Sequence, residues 1–475
     1  MKRVAIIGSG ASGLSAAYSL EKARRRGAPL EYTVFESSPK IGGVLVTDRV
    51  DDCLVEGGPD SFISEKPWAA DLCRELGIGD QLIGSNDPAR KTYILIRGKL
   101  VAIPDGLMFM VPTRILPAVL SPLFSLGAKL RMAGEWFHPP HKANGDETVA
   151  ALVERHYGKE MVDRLADPLL SGVYGGQASE LSVRAVLPRF ADMEAKHGSL
   201  GRAMLAARKN MPAAGNSAPR PLFTSLKNGM QQLVDVLVSQ LPAACLRPST
   251  AVRSLQRLEG NWLVQTTAGV ETFDSVIVAV PSRAAGAVLQ AVSADLAREL
   301  SETRYSSSVT VTLGYGREVL AQLPPGFGFL VPRSEGFRML ACTFVHTKFP
   351  HRAPPDRALI RTFLGGSQDE PVLSLSEDEV LLLVRQELGR ILKLQAEPRF
   401  ARVYKWPSAM ALYGVGHLEK LDRIEKLRTE LPGLALAGNG YRGIGVPDCV
   451  RSGRDAAAQT ISFLGLQILD RSTRP

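Results

Sequence analysis

Short apolar runs that end in glycine alternate with longer mixed stretches along this chain. Val4-Ala5-Ile6-Ile7 is small or β-branched throughout, the pattern of a strand buried on both faces. It breaks at Gly8, and Leu14–Ala23, rich in Ala and Leu, predicts the following helix. Tyr32–Phe35 predicts a second strand that ends at Glu36, and Cys53–Glu56 a short run opening into Gly57-Gly58-Pro59. Residues 227–241 predict an amphipathic helix. Asn261–Thr266 and Ser275–Val280 predict two strands, closed by Pro281, that return to the first sheet. Residues 308–364 alternate in strand fashion and 377–393 predict a helix. The last apolar run, Leu434–Ala437, breaks into Gly438-Asn439-Gly440 and meets a helix start at Pro447.

The first glycine turn reads Gly8-Ser9-Gly10-Ala11-Ser12-Gly13. Gly8 permits the tight turn, Gly10 lets a pyrophosphate approach the backbone, and Gly13 lets the helix pack on the strand. The helix N-terminus offers free N–H groups to the phosphates. Glu36 stands where a ribose hydroxyl acceptor belongs, and its charge disfavours a 2′-phosphate. Gly42-Gly43 follows it and gives the backbone a second close approach, as a larger cofactor requires. The glycine turns at the two ends of the chain then form one cofactor site, which points to a flavin. The chain is therefore read as α/β, with a discontinuous Rossmann-like domain over 1–85, 222–295 and 405–475. A mixed β/α substrate domain, 86–100 and 296–404, and a helical subdomain, 101–221, are inserted into it.

Composition adds limits. The chain has 475 residues, 45% apolar and 22% charged, enough for a large core and more than one domain. Five scattered cysteines without a CxxC pair read as reduced thiols of a cytosolic protein, and no His/Cys cluster suggests a metal. The first apolar stretch is interrupted by glycines where a secretory leader would be continuous. The net charge of +9 suits an anionic small molecule or lipid, whereas nothing resembles a nucleic-acid-binding motif.

The stretch 101–137 is apolar, punctuated by Pro104, Pro112, Pro117 and Pro122, and flanked by Arg114, Lys129 and Arg131. It is too broken to span a bilayer. Two readings stand: an interfacial segment whose cations meet lipid phosphates, or a buried helical subdomain. Asn210–Pro221 reads as a loop.

Together these residues resemble the oxygen-dependent protoporphyrinogen/coproporphyrinogen oxidases, FAD-linked members of an amine-oxidase-like superfamily. The resemblance spans the chain. Its marks include Glu56–Phe62, Ser171–Gly176, Glu180–Val183, Gly328–Pro332, Phe349-Pro350, Arg361–Gly366, Trp406-Pro407, Tyr413–His417 and Gly438–Arg451. It implies six-electron oxidation of a porphyrinogen in heme biosynthesis, with O₂ reduced to H₂O₂. It implies FAD held by Gly8, Ser9, Gly10, Ala11, Ser12, Gly13, Glu36, Ser37, Gly42, Gly43, Val44, Gly58, Pro59, Asp60, Ser61, Val252, Trp406, Gly438, Asn439, Ile444, Gly445 and Val446. It implies substrate contact by Thr92, Gly175, Leu330, Thr343 and Phe363, with ordinary core packing as the other reading of Leu330 and Phe363. A cytoplasmic protein, peripheral on the inner membrane face, and a homodimer are further expectations.

One departure stands out. The family places an arginine, which holds a propionate, just before the aromatic that here is Tyr93, and this chain has Thr92 there. Strand alternation puts Arg90 on the side of Thr92, and Lys91 and Arg97 on the other. No general base emerges; His346, His351 and His417 qualify by residue type only. A flavin amine oxidase or carotenoid-type desaturase of the same fold is the runner-up, and a flavin-binding or membrane-surface scaffold without turnover is the reading from another class.

Overall fold

The computed structural model describes residues 1–108, 110–112, 114–141, 145–209 and 220–466. Most of the loop expected over Asn210–Pro221 lies outside these residues. The strand Lys2–Ile7 sits at the centre of a five-stranded parallel sheet ordered Leu246–Arg247, Leu30–Phe35, Lys2–Ile7, Ser275–Val278, Leu434–Leu436. The two ends of the chain thus lie in one sheet, separated by a single strand. Both sheet faces are covered, which is why the central runs Val4–Ile7 and Val276–Val278 are wholly apolar.

On one face, Val4 and Ile6 pack with Leu14 and Leu20 of the helix Ala11–Arg25. Val450 and Ala457 of the helix Val446–Phe463 join the same cluster. These helices meet at Gly453, where a Cβ would stand 2.0 Å from the Ser12 carbonyl oxygen. The other face buries Ala5, Ile7 and Phe35 against Trp262 and Phe273.

The expectation that Asn261–Thr266 joins this sheet is corrected. That strand lies in a separate antiparallel sheet with Val252–Leu258 and Gly269–Phe273. Glu259 and Gly260 both have positive φ (50° and 83°), which closes the tight hairpin between its first two strands. Only Ser275–Val278 returns to the parallel sheet.

A seven-stranded sheet forms the second body: Phe400–Ala411, Tyr305–Tyr315, Ala358–Gly365, Met339–Phe344, Gly328–Leu330, Thr92–Ile96, Lys99–Ala102. The helix Glu377–Leu392, opened by a capping box of Ser376 and Glu379, covers one face through Val380, Val384 and Leu388. The strand Phe400–Ala411 runs through residue 405, so the expected domain boundary there falls inside a strand.

The stretch 101–137 folds into short pieces, chiefly the helices Ile115–Leu120 and Leu126–Gly134. Val111, Leu123, Phe124, Ala128 and Met132 enter a helical core with Leu152, Leu165 and Leu200. Leu116, Val119, Leu120, Leu126, Leu130 and Phe137 remain exposed. No helix among the described residues is long and apolar enough to cross a membrane.

A buried ion network ties this subdomain together. His156 lies 3.1 Å from Glu135 and 3.0 Å from Glu194, and Arg155 bridges Glu194 and Glu147. Burial alone would lower the His156 pKa, but the hydrogen bonds to Glu135 and Glu194 outweigh it and raise the value above 6.5. Burial works to raise Glu194, yet His156 and Arg155 pull it down to about 2. The histidine contribution is complete below its ordinary 6.5 and is lost as pH rises through the raised value. The Glu194 contribution is complete above its ordinary 4.5 and is lost as pH falls towards 2. Urea midpoints measured across pH are therefore expected to be highest between about 4.5 and 6.5, and His156→Gln is expected to flatten the decline on the alkaline side.

Candidate active site

Four backbone turns line one wall of a cleft at the carboxyl ends of the parallel strands. The first is Gly8–Gly13. Gly8 has φ +98°, and a Cβ there would stand 2.7 Å from the Ala279 carbonyl. A Cβ at Gly13 would sit 1.9 Å from the Gly8 carbonyl, so both glycines are fixed by close approach of backbone. Gly10 differs: a Cβ there meets nothing within 4 Å. Its missing side chain faces open space at the N-terminus of Ala11–Arg25, and a helix N-terminus of this kind suits an anion. Ala11 and Ser12 form the first turn of that helix.

Glu36 ends its strand as expected, and its carboxylate already organises the turn. One oxygen accepts from the Ser9 amide (2.9 Å) and hydroxyl (2.6 Å), the other from the Ser38 amide (2.8 Å) and the Ser37 hydroxyl (3.3 Å). The Gly42 amide donates to the Ser9 carbonyl, and a Cβ on Gly43 would come within 3.3 Å of Gly10. Val252 lies beside this corner, since the amide of nearby Thr250 donates to the Glu36 carbonyl at 2.7 Å. A Cβ on Gly58 would stand 1.8 Å from the Val44 carbonyl, which brings the turn Gly57–Ser61 against exposed Val44. Pro59, Asp60 and Ser61 continue that turn, with Lys348 2.9 Å from Asp60.

The fourth turn, Gly438–Val446, is braced from behind. The Tyr413 hydroxyl donates to the Asn439 carbonyl (2.6 Å) and accepts from the Gly443 amide (2.9 Å). His417 stacks on Tyr413 with ring centroids 4.0 Å apart and contacts the Tyr441 carbonyl at 2.8 Å. It is thereby a brace of the turn. His346 is held by Leu359 in the same structural manner, and burial keeps His351 down at about 4. Gly443 makes room for Asp448: a Cβ there would lie 2.3 Å from the Asp448 carboxyl carbon. Asp448 caps the helix Val446–Phe463 through the Gly445 amide and pairs with Lys66 at 2.6 Å. The N-terminal dipole of this helix thus already faces one carboxylate. Ile444 is half-buried beside it and Val446 is buried in the core.

The opposite wall is one face of the seven-stranded sheet. Thr92 pairs with Gly328, Gly328 with Thr343, and Thr343 with Arg361, so these four residues form one row across adjacent strands. Leu330, Ala341 and Phe363 form the next row. Four of the five residues expected to contact substrate therefore share a face, two registers wide. Arg361 and Trp406 turn that face towards the glycine turns: Nη2 of Arg361 donates to the Gly58 carbonyl (2.5 Å), and Trp406 Nε1 to the Gly57 carbonyl (2.8 Å). Gly175, the fifth, is buried; a Cβ there would lie 2.3 Å from the Ser306 hydroxyl oxygen. The exposed part of its segment is Gly172 and Val173. Thr92 is half-buried, while Arg90 is exposed and Lys91 lies over the Tyr93 ring, the expected alternation.

A model of the flavin containing amine oxidoreductases matches residues 11–461. A curated coproporphyrinogen III oxidase of Bacillus subtilis is 32% identical over 98% of both chains. The chain belongs to the porphyrinogen oxidases of this flavin family. Another relative, protoporphyrinogen oxidase 2 of Arabidopsis thaliana, is 29% identical over 98% of this chain and 94% of its own. A crystal structure from Exiguobacterium sp. 255-15, 29% identical, superposes with a TM-score of 0.88 over 98% of this chain and 99% of its own. Cyclohexylamine oxidase of Brevibacterium oxydans IH-35A, 17% identical with a TM-score of 0.70 over 98% and 99%, shares the fold alone. In this family the cofactor is a flavin, and the cleft suits one: backbone at the N-terminus of Ala11–Arg25, open space above Gly10, and a sheet face opposite.

Sequence reasoning does not assign Arg361, Lys348, Arg352 or Tyr413 to this cleft. For Arg361 the signal is present, because it shares the strand face of Phe363 two residues away. For Arg352 and Lys348 no local pattern exists; they reach Glu56 and Asp60 across almost 300 residues.

Proposed function

We propose that this chain is an FAD-dependent oxidase that converts coproporphyrinogen III to coproporphyrin III with O₂ as acceptor, giving H₂O₂, within heme biosynthesis. The observation that carries this reading is the sheet face opposite the flavin-binding turns, with the apolar row Leu330–Ala341–Phe363 beside the polar row Thr92–Gly328–Thr343–Arg361. A macrocycle of four pyrroles needs such a floor. FAD, rather than a mononucleotide, is supported by the long cradle from Glu36 across Gly10 to Gly438. Four propionates on the substrate suit a chain of net charge +9 better than two.

A bound flavin would supply the acceptor for a hydride equivalent from a carbon bridging two pyrroles. The residues of the chain bind and orient. Leu330 and Phe363 support the macrocycle, Gly172 and Val173 close on it, and Trp406 fixes the edge of the turn at Gly57. Phe363→Ala is expected to raise KM for the porphyrinogen about tenfold, the loss of part of one aromatic contact, while the flavin spectrum stays as in the parent; steady-state kinetics check it. The reading itself is tested by releasing the cofactor with heat, identifying it, and comparing kcat/KM for coproporphyrinogen III and protoporphyrinogen IX. FAD and a preference for the former are expected. A preference for protoporphyrinogen IX reverses the substrate assignment.

We also infer a peripheral position on the inner membrane face. Six large apolar side chains between Leu116 and Phe137 are exposed, and half-buried Lys129 and exposed Arg131 lie in the same stretch. A cavity of about 550 Å³, lined by Ala118, Val119, Met132, Trp136 and Phe137, opens beneath them and shares no residue with the flavin cleft. Flotation with anionic liposomes is expected to carry the protein, and Leu120→Glu/Phe137→Glu to abolish it.

A further inference from the structure

Five charged side chains lie together around Gly57 and Gly58. Glu56 pairs with Arg352, and both are almost fully buried. Asp60 pairs with Lys348, with side chains 17% and 12% exposed. Arg361 is 3% exposed and has no carboxylate within ion-pair distance among the described residues. Its Nη2 donates to the carbonyls of Gly58 (2.5 Å) and Gly57 (3.3 Å), and its Nε has no partner. Three cations thus face two carboxylates, and each carboxylate already holds a cation. A surplus positive charge is buried, an unfavourable arrangement unless negative charge arrives beside it.

The location decides what that negative charge is. The Gly57 carbonyl accepts from Trp406 Nε1 (2.8 Å), Thr310 Oγ1 (2.9 Å) and Arg361, three side chains from three neighbouring strands. Gly58 lies against Val44 on the cleft wall. The surplus charge therefore sits against the carbonyl groups of the Gly57–Gly58 turn that lines the flavin cleft. Reduction of a flavin adds negative charge to its ring, and a fixed cation in a low-dielectric site stabilises that charge without reorganisation.

We propose that Arg361 is a positioning and electrostatic residue: the surplus charge of the Glu56–Asp60–Lys348–Arg352–Arg361 cluster raises the electron affinity of the flavin. This rests on the cleft being the flavin site. The probe is sulfite, whose lone pair adds to the oxidised flavin ring to give an anionic adduct and bleaches the visible band. Sulfite dissociation constants and reduction potentials are measured on flavin-loaded parent protein, Arg361→Met, Arg361→Lys and Lys348→Met. Lys348→Met leaves Arg361 as the partner of Asp60, so it removes the surplus without touching the Gly57 carbonyl. Arg361→Met and Lys348→Met are both expected to weaken sulfite binding at least about tenfold and to lower the potential, whereas Arg361→Lys stays within about threefold of the parent. Sulfite affinity within about twofold of the parent in both Met variants, at normal flavin content, overturns the proposal. Loss of flavin from both variants with the apo fold intact overturns it too, since the cluster then serves binding alone. A parent protein that takes up no flavin would instead overturn the cleft assignment.

Discussion

Gly10→Ala is expected to give a folded protein that no longer retains flavin. Gly10 is the residue before the helix Ala11–Arg25, with φ −67° and ψ −177°, a conformation alanine adopts freely. A methyl group there touches no protein atom within 4 Å, so the apo fold loses at most about 1 kcal/mol of helix capping. The same methyl projects into the space over the helix N-terminus where a pyrophosphate makes its backbone contacts. Gly13→Ala supplies the contrast. Its methyl would stand 1.9 Å from the Gly8 carbonyl, so strand and helix must separate and the fold itself suffers. Thermal melts of the apo proteins and the ratio of flavin to protein absorbance distinguish the two: Gly10→Ala keeps the parental melting temperature and loses the yellow colour, whereas Gly13→Ala loses both. Retention of stoichiometric flavin by Gly10→Ala would remove Gly10 from the binding site.

Arg352→Met is expected to be the most destabilising single change in the substrate domain, at about 3–5 kcal/mol. The guanidinium pairs with Glu56 and donates to the Ser225 hydroxyl at 2.6 Å. Glu56 in turn accepts from the Met230 amide (2.9 Å) and the Thr47 hydroxyl (2.7 Å). Three segments distant in sequence meet at this pair, and both side chains are almost completely buried. Removing one partner leaves a carboxylate without its cation in a low-dielectric interior. Glu56→Gln/Arg352→Met removes both charges and is expected to recover a good part of the loss. Urea denaturation of the single and double variants measures this. Equal midpoints for the parent and Arg352→Met would show the pair to be energetically neutral.

The parallel sheet is legible in the sequence because its strands are buried on both faces and therefore carry a continuous apolar signal. Strands 2–7, 30–35 and 275–278 and the helices that follow the glycine turns lie where the pattern puts them, within a few residues. The hairpin Val252–Leu258 with Asn261–Thr266 lies outside the sheet expected for its second strand, because an alternating strand does not announce its partner. The site divides similarly. Glycines mark themselves, since Gly8, Gly13 and Gly58 stand where any side chain would collide with backbone. The row Thr92–Gly328–Thr343–Arg361 is invisible locally, because its members come from strands whose register is set only by the folded sheet. Glu36 reads from its position as a ribose acceptor, and its bonds to Ser9 and Ser38 show that it also holds the first glycine turn in shape. The stretch 101–137 leaves two readings open in the sequence, and the fold shows a segment with two sides. One side enters the helical core and the other exposes six large apolar residues.

The central claim is that a porphyrinogen is oxidised on a flavin held between the two ends of the chain. Purified yellow protein mixed with coproporphyrinogen III in air, with porphyrin fluorescence and peroxide followed together, tests it directly. The expected result is porphyrin formation at a rate proportional to enzyme, with about three molecules of peroxide per porphyrin, from oxidation in two-electron steps. No porphyrin above the autoxidation blank, with coproporphyrinogen III or with protoporphyrinogen IX, would contradict it.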